Sequence, residues 1–334
     1  MTPHEAGARG RWLPARIKEL LPQPVKEALR RRRVRAARLV GYPVASAWLP
    51  RPPLDRGRPR MRLAAALLAC DLNPGYLGFW PLAARAWEEI VGVEALLVLV
   101  AGEGQVPPEL AADPRVLRFD PLPGLHTTFQ AQCIRLLYPA LLDVGGAVLV
   151  SDIDLLPLDP RYFHRPVAKL PANAFVAYRD IRFGRQEMAI SFNAAAPATW
   201  AEVLGVGGPG DVRERLASWG DGLEYDGRRA WPGWYTDQQL LYEALWRWPA
   251  RPRRLWLLDD EYCGFRRLDR LDLEREQGLG PRRRRDLERL RYTDYNCLSP
   301  FDEHRRVNEL VLELGLEAAS RRRRGEPRPA ERRA

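Results

Sequence analysis

The chain has 334 residues, 46% of them hydrophobic and 29% charged, with 11 Trp, 11 Tyr and 9 Phe. That is enough buriable surface for a sizeable core, and it excludes a disordered chain, a peptide hormone or a disulfide knot. A formal net charge of +10 suggests nucleic acid or an anionic membrane as partner until it is divided along the chain.

Residues 1–60 carry 15 basic against 4 acidic side chains, residues 320–334 carry 7 against 2, and residues 61–319 carry 31 against 37. The body is therefore mildly acidic, and its basic residues lack an interleaved aromatic platform, so no nucleic acid is expected as partner. The basic ends read as solvated charge or, for residues 1–60, as a segment in peripheral contact with an anionic membrane. The uncharged apolar-looking stretch Leu39 to Pro50 has 12 residues and contains Pro43, short of the roughly 20 that a span needs. Met1 to Gly10 has no apolar signal-peptide core. Cys70, Cys133, Cys263 and Cys297 lie far apart in sequence and read as reduced core thiols of a cytoplasmic protein.

In chain order, Pro24 to Val40 reads as a ragged amphipathic helix, and the prolines at 43, 50, 52, 53 and 59 as a linker. A different pattern begins at Leu63. An apolar strand (Leu63 to Cys70), a turn (Asn73, Pro74, Gly75), a helix (Gly78 to Ile90) and a strand (Ala95 to Val100) form a parallel strand–helix–strand unit. A strand at Val116 to Phe119, a helix at Thr128 to Asp143 and a strand at Ala147 to Val150 continue the alternation, which predicts an α/β domain. Beyond it, strands are expected at Ala174 to Tyr178, Met188 to Phe192 and Leu255 to Leu258, and a helix at Thr236 to Trp246. Pro281 to Arg285 reads as an exposed charged insertion, and Arg321 onward as a disordered tail. The expected organisation is a basic helix and linker over 1–60, one α/β domain over 61–319 and an Arg-rich tail over 320–334.

The sharpest chemical signal is Asp152-Ile153-Asp154, directly after the strand ending at Val150. In extended chain, residues i and i+2 face the same side, at the carboxyl edge where open α/β sheets bind ligands. Two such carboxylates suit a hard divalent cation that takes further ligands from substrate phosphates, and such a cation neutralises a departing diphosphate. Two solvated aspartates at a strand end, one of them a cap, are the bland alternative.

The neighbouring segments carry a resemblance. Ala69-Cys70-Asp71-Leu72-Asn73 with Tyr76, Arg135 within Gln132 to Leu136, Ser151-Asp152-Ile153-Asp154, Phe192-Asn193-Ala194-Ala195 and Thr236-Asp237-Gln238-Gln239-Leu240 follow in order over about residues 63–300. This pattern resembles the nucleotide-diphospho-sugar glycosyltransferases of the GT-A fold, nearest to the glycogenin and galactosyltransferase-like family 8. The resemblance implies a single Rossmann-like GT-A domain with a mixed central sheet and helices on both faces. It also implies transfer of a sugar from a nucleoside-diphosphate donor, UDP-linked in expectation, to a hydroxyl acceptor, with retention favoured.

In that reading Asp152 and Asp154 hold Mn²⁺ or Mg²⁺ across the diphosphate. Asp71, Asn73 and Tyr76 face the nucleoside, Arg135 supports the diphosphate or donor sugar, and Asn193, Asp237 and Gln238 line the sugar and reacting carbon. Two departures stand out. Where the family has a third metal ligand, a His, this chain reads Asp294-Tyr295-Asn296-Cys297-Leu298, with His304 beyond, so Asn296, His304 or water fills the position. The family's Gly after Asn-Ala is Ala195, which disfavours a positive φ. Simpler roles are also open: Thr236 to Gln239 fits a capping box, Asn193 a turn, Arg135 a structural ion pair, and Asp71 a strand-end turn. A degenerate transferase that only binds, or a membrane-surface scaffold, is the other reading, motivated by the missing His and the Arg-rich ends.

Overall fold

The computed structural model describes residues 44–45, 59–179, 186–227, 233–258 and 260–326. The chain divides between Tyr42 and Pro43, and all described residues belong to the second unit. The predicted helix at Pro24 to Val40 and most of the linker lie outside the described residues.

Eleven strands among the described residues form two sheets: β1 (Val44–Ala45), β2 (Leu63–Asp71), β3 (Glu94–Val100), β4 (Val116–Phe119), β5 (Ala147–Val150), β6 (Leu155–Pro157), β7 (Phe175–Ala177), β8 (Asn193–Ala195), β9 (Leu255–Leu258), β10 (Arg267–Leu268) and β11 (Asp294–Asn296). The main sheet runs β1-β9-β7-β8-β5-β2-β3-β4 and is parallel except for β8, which is antiparallel to both its neighbours. The small sheet runs β10-β11-β6. The central strand β2 is all but wholly buried, which explains why it reads as a continuous apolar run and not as an alternation.

Helices cover both faces, as the resemblance implies. On one side, Ala66, Leu68 and Cys70 of β2 join a core with Trp87 of α1 (Trp80–Arg85, continued by a π-helical stretch, Ala86–Val91) and Leu312 of the C-terminal helix. The intervening residues Ala65, Leu67 and Ala69 point away from that core, as period-2 geometry requires, and α2 (Thr127–Leu137) packs on β2 and β3. Helices α3 (Pro160–Val167), α4 (Pro197–Leu204), α5 (Pro209–Gly220), α6 (Thr236–Arg247), α7 (Arg270–Arg275), α8 (Pro281–Glu288) and α9 (Phe301–Arg323) follow, with several single-turn helices between them.

Three sequence expectations need correction. Met188 to Phe192 is a buried loop, and the strand is Asn193–Ala195; the Asn193 amide donates to the carbonyls of Ala189 and Ile190, which ties the segment into a turn. Ala195 sits in that strand and is not among the positive-φ residues, so the missing glycine costs nothing there. Pro281 to Arg285 opens the helix α8, whose Asp286 and Leu287 are buried and whose Arg283 pairs with Glu276 at 2.8 Å. Finally, α9 runs through Arg323, where a disordered tail was expected; the Arg323 guanidinium donates to the Glu89 carbonyl at 2.6 Å.

Of the thiols, Cys70, Cys133 and Cys297 are buried, Cys263 is half-buried, and none of the four is in a disulfide. Among the described residues no helix is long and apolar enough to cross a membrane.

Candidate active site

Strand order reverses at β2: the chain runs outward through β3 and β4, then crosses to β5 on the other side. Ligands of open α/β sheets bind at the carboxyl ends of strands at such a switch point. Asp71 ends β2, and Asp152 follows β5 by two residues. Asn193 opens the antiparallel β8 directly opposite Val150, so its backbone reaches the same edge from the other direction.

The centre of the site is a chain of charge. Arg135, on the buried face of α2, donates from Nη1 to Asp152 Oδ1 and from Nη2 to Asp237 Oδ2 at 2.8 Å, while its Nε donates to the Gln132 carbonyl at 3.1 Å. Asp237 lies in the first turn of α6, where a carboxylate complements the helix dipole, and its Oδ1 accepts from the Gln238 N–H at 2.8 Å. Tyr235 is the N-cap residue and makes no side-chain cap, so the capping box expected from Thr236 does not form.

Burial alone would push Asp152 up, but the Arg135 guanidinium and a hydrogen bond from Ser191 outweigh it and hold its carboxyl below the ordinary range. Asp154 goes the other way: burial and the Asp152 charge raise it, against the opposing pull of Arg270 and Arg267. Asp237 is also raised, because burial outweighs its contact with Arg135.

On the β2 side, Asp71 is fully engaged. Its Oδ2 accepts from the hydroxyls of Thr127 and Thr128, both at 2.8 Å, and its Oδ1 from the Asn73 N–H at 3.2 Å. Asn73 is exposed and caps the turn Pro74–Leu77, accepting from the Gly75 N–H at 3.0 Å; Tyr76 is half-buried, its ring tilted against Phe79.

The two candidate third ligands, Asn296 and His304, lie on β11 and α9. Asn296 pairs across the small sheet with Leu155, and the Cys297 N–H donates to the Asp154 carbonyl at 2.9 Å, so the end of β11 is fixed beside Asp154. Among the described residues no three His, Cys, Asp or Glu side chains gather to hold a metal, and His304 is half-buried on α9. The donor set that remains fits a hard cation: two carboxylates repelling each other, and an Asn296 Oδ1 that is buried without a hydrogen-bond partner.

Two further predicted residues show the same signature. The Asn193 Oδ1 and the Gln238 Oε1 are buried and accept no hydrogen bond. Buried polar atoms in a folded protein are overwhelmingly paired, so the orphaned acceptors at these three residues are open to a donor or a cation, a signature they share with five other buried atoms of the described residues.

Sequence reading missed several residues. Ser191 and Arg270 carry no motif; Arg270 sits 116 residues from Asp154, which it meets. Tyr225 donates from its hydroxyl to Gln132 Oε1 at 3.0 Å and stacks on Trp234 at 6.5 Å between ring centroids, beside the helix that carries Arg135.

No family model matches the chain, and no curated protein matches it. Among solved structures, similarity is found to the galactosyltransferase LgtC in complex with donor and acceptor sugar analogs, at 16% identity over 77% of this chain and 95% of that one, with a TM-score of 0.39. The glycosyltransferase GlyE of Streptococcus pneumoniae TIGR4 aligns at 12% identity over 80% of this chain and 66% of that one, with a TM-score of 0.42.

Proposed function

We propose that the chain is a metal-dependent glycosyltransferase that moves a sugar from a nucleoside-diphosphate donor, a UDP-sugar by the resemblance of its motifs, to a hydroxyl acceptor. The observation that carries this reading is the pair of orphaned acceptors, Asn193 Oδ1 and Gln238 Oε1, beside the Asp152–Arg135–Asp237 chain. Sugar hydroxyls are the donors such oxygens need, and a guanidinium already shared by two carboxylates fixes Asp237 next to Gln238. Asp152, Asp154 and the Asn296 amide oxygen would hold Mn²⁺ or Mg²⁺, which when bound neutralises the charge developing on the departing diphosphate. The Asp71 loop, with Asn73 and Tyr76, would face the nucleoside.

Asp237 has one oxygen on Arg135 and the other on the Gln238 N–H, and its side chain is 2% exposed. It is therefore a positioning residue and not a free base for an acceptor hydroxyl, which favours retention of the anomeric configuration. Proton NMR of the first-formed product reads this directly, and an inverted anomer would refute retention.

The deciding experiment is thermal unfolding with a panel of nucleoside diphosphates and nucleotide sugars, each with and without Mn²⁺, beside Asp152→Asn/Asp154→Asn. A ligand at about 100 times its Kd stabilises by roughly 2.7 kcal/mol, a shift of several degrees. Stabilisation of the native chain by UDP with metal, absent in the variant, is the expected result. No shift in any combination would remove the donor site.

A further inference from the structure

Three guanidiniums surround the Asp152–Asp154 pair, and they are held very differently. Arg135 is clamped by Asp152, by Asp237 at 2.8 Å and by the Gln132 carbonyl at 3.1 Å. Arg267, whose charge is felt at both Asp152 and Asp154, donates from Nε to Asp294 Oδ2 at 2.8 Å, with a second contact from Nη2. Arg270 is the loose one. Its Nη1 lies 3.4 Å from Asp154 Oδ2 and 3.3 Å from Ser299 Oγ, beyond the 2.7–2.9 Å of a well-made charge-assisted hydrogen bond. Its backbone, by contrast, is fixed, because the N-cap Asp269 accepts from the Leu271 N–H at 3.0 Å at the start of α7.

Side-chain exposure is 11% for Arg270 and 15% for Asp154. A cation at the carboxylate pair must therefore take Asp154 from a guanidinium that has little water to fall back on. Leaving that guanidinium unpaired is costly unless another anion is present to receive it.

We propose that Arg270 is a built-in counter-ion that competes with the divalent cation for Asp154 and passes to the diphosphate when metal and nucleotide bind together. The inference rests on the donor-site reading above and adds to it a regulatory consequence: the metal alone binds weakly, and the nucleoside diphosphate tightens it. Arg135 and Arg267 cannot play this part, since each is held by a short contact to a partner outside the Asp152–Asp154 pair, Asp237 and Asp294. Among the described residues Arg270 has only Ser299 besides Asp154 as a hydrogen-bond partner, and a hydroxyl does not neutralise it.

The test is a Mn²⁺ titration followed by the free-ion electron paramagnetic resonance signal, with and without UDP, on the full chain and on Arg270→Met, Arg270→Gln and Arg270→Lys. The expected result is that Mn²⁺ alone binds Arg270→Met and Arg270→Gln about fivefold or more tighter than the native chain. UDP should tighten Mn²⁺ by about tenfold or more in the native chain and by distinctly less in these two variants, within the usual range of coupling between sites. Arg270→Lys keeps the competing charge and should stay close to native. A general loss of structure weakens metal binding, so tightening cannot arise from damage, and agreement between two uncharged replacements guards against one that folds poorly. If Mn²⁺ binds the native chain and both uncharged variants equally, Arg270 is no competitor and the proposal is overturned, while the donor site stands. If neither native chain nor variants bind Mn²⁺ even with UDP, the metal part of the donor-site reading fails and takes this inference with it.

Discussion

Arg135 and Asp237 are 102 residues apart in sequence and meet at 2.8 Å, with side chains 9% and 2% exposed. The same guanidinium reaches Asp152, so one cation on α2 ties the end of β5 to the start of α6. Fold and site are therefore coupled at this point.

Removing Arg135 exposes that coupling. Arg135→Met leaves Asp237 buried without its cation, and breaking one partner of a buried pair costs about 3–5 kcal/mol. Arg135→Lys keeps the charge but cannot fork to two carboxylates, and should fall between the native chain and the Met variant. Urea denaturation measures both. The double variant Arg135→Met/Asp237→Leu should recover part of the loss, since no orphaned charge remains at position 237; a purely additive loss would show that the pair is not coupled.

Asp71 distinguishes a positioning role from direct contact with the nucleoside. Its carboxylate accepts from Thr127, Thr128 and the Asn73 N–H, and so sets the N-terminus of the helix that carries Arg135. Thr127→Val and Thr128→Val should each cost about 1 kcal/mol, and Asp71→Ala about 2–3 kcal/mol by orphaning three donors. All three should also weaken UDP binding through displacement of α2. A loss of UDP affinity in Asp71→Ala with an unchanged melting temperature would assign Asp71 to the nucleoside alone.

The contrast between Asp71 and Arg270 shows what the sequence could disclose. Strands β2, β3 and β5 were legible because they are buried apolar runs of strand length with turn residues between them, and Asp152-Ile153-Asp154 was legible because it directly follows β5. Asn193, Gln238 and Asn296 were legible through their segments, and each proves to carry a buried unsatisfied oxygen. Ser191 and Arg270 reach Asp152 and Asp154 from a buried loop and from the start of α7, and tertiary contacts of that kind leave no local periodicity. Met188 to Phe192 misled for a related reason: five consecutive buried residues read as a strand, although the Asn193 amide folds them into a loop.

Acid stability has an identifiable contributor away from the site. Asp113 accepts from Arg115 at 2.8 Å, from the Arg115 backbone N–H at 2.9 Å and from the Trp80 indole, and the Arg115 contact leads in lowering its pKa from 3.8 to about 2. Because the folded value lies below the unfolded one, the stabilisation is present above pH 4 and is lost as pH falls from about 4 to 2. Arg115 is 35% exposed, so solvent screening reduces the effect to the order of 1 kcal/mol. Urea denaturation at pH 5 and at pH 2.5 should show the native chain losing about that much more than Arg115→Gln. Equal losses would assign the acid slope elsewhere.

The last prediction concerns how α9 supports the site. Asn308 is fully buried: its Oδ1 accepts from the Tyr295 hydroxyl at 2.6 Å and the Leu298 N–H at 3.1 Å, while its Nδ2 donates to the Leu298 carbonyl at 2.9 Å. These bonds pin the segment between β11 and α9, which carries Asn296 at one end and Ser299, the second contact of Arg270, at the other. Asn308→Leu is close in volume but leaves the Leu298 carbonyl and the Tyr295 hydroxyl proton buried without partners and the Leu298 N–H with only the Tyr295 oxygen at 3.2 Å, and at about 1–3 kcal/mol for each orphaned group the loss should reach about 2 kcal/mol or more. Tyr295→Phe removes one hydroxyl and should cost only about 1 kcal/mol. Because the pinned segment holds Asn296 beside Asp154, Mn²⁺ affinity in the presence of UDP should fall in Asn308→Leu even at temperatures where the variant is fully folded. Tyr295→Phe, which keeps both backbone bonds to Asn308, should leave that affinity near native. If Asn308→Leu melts early yet binds Mn²⁺ and UDP as the native chain does, α9 stabilises the domain without positioning the site.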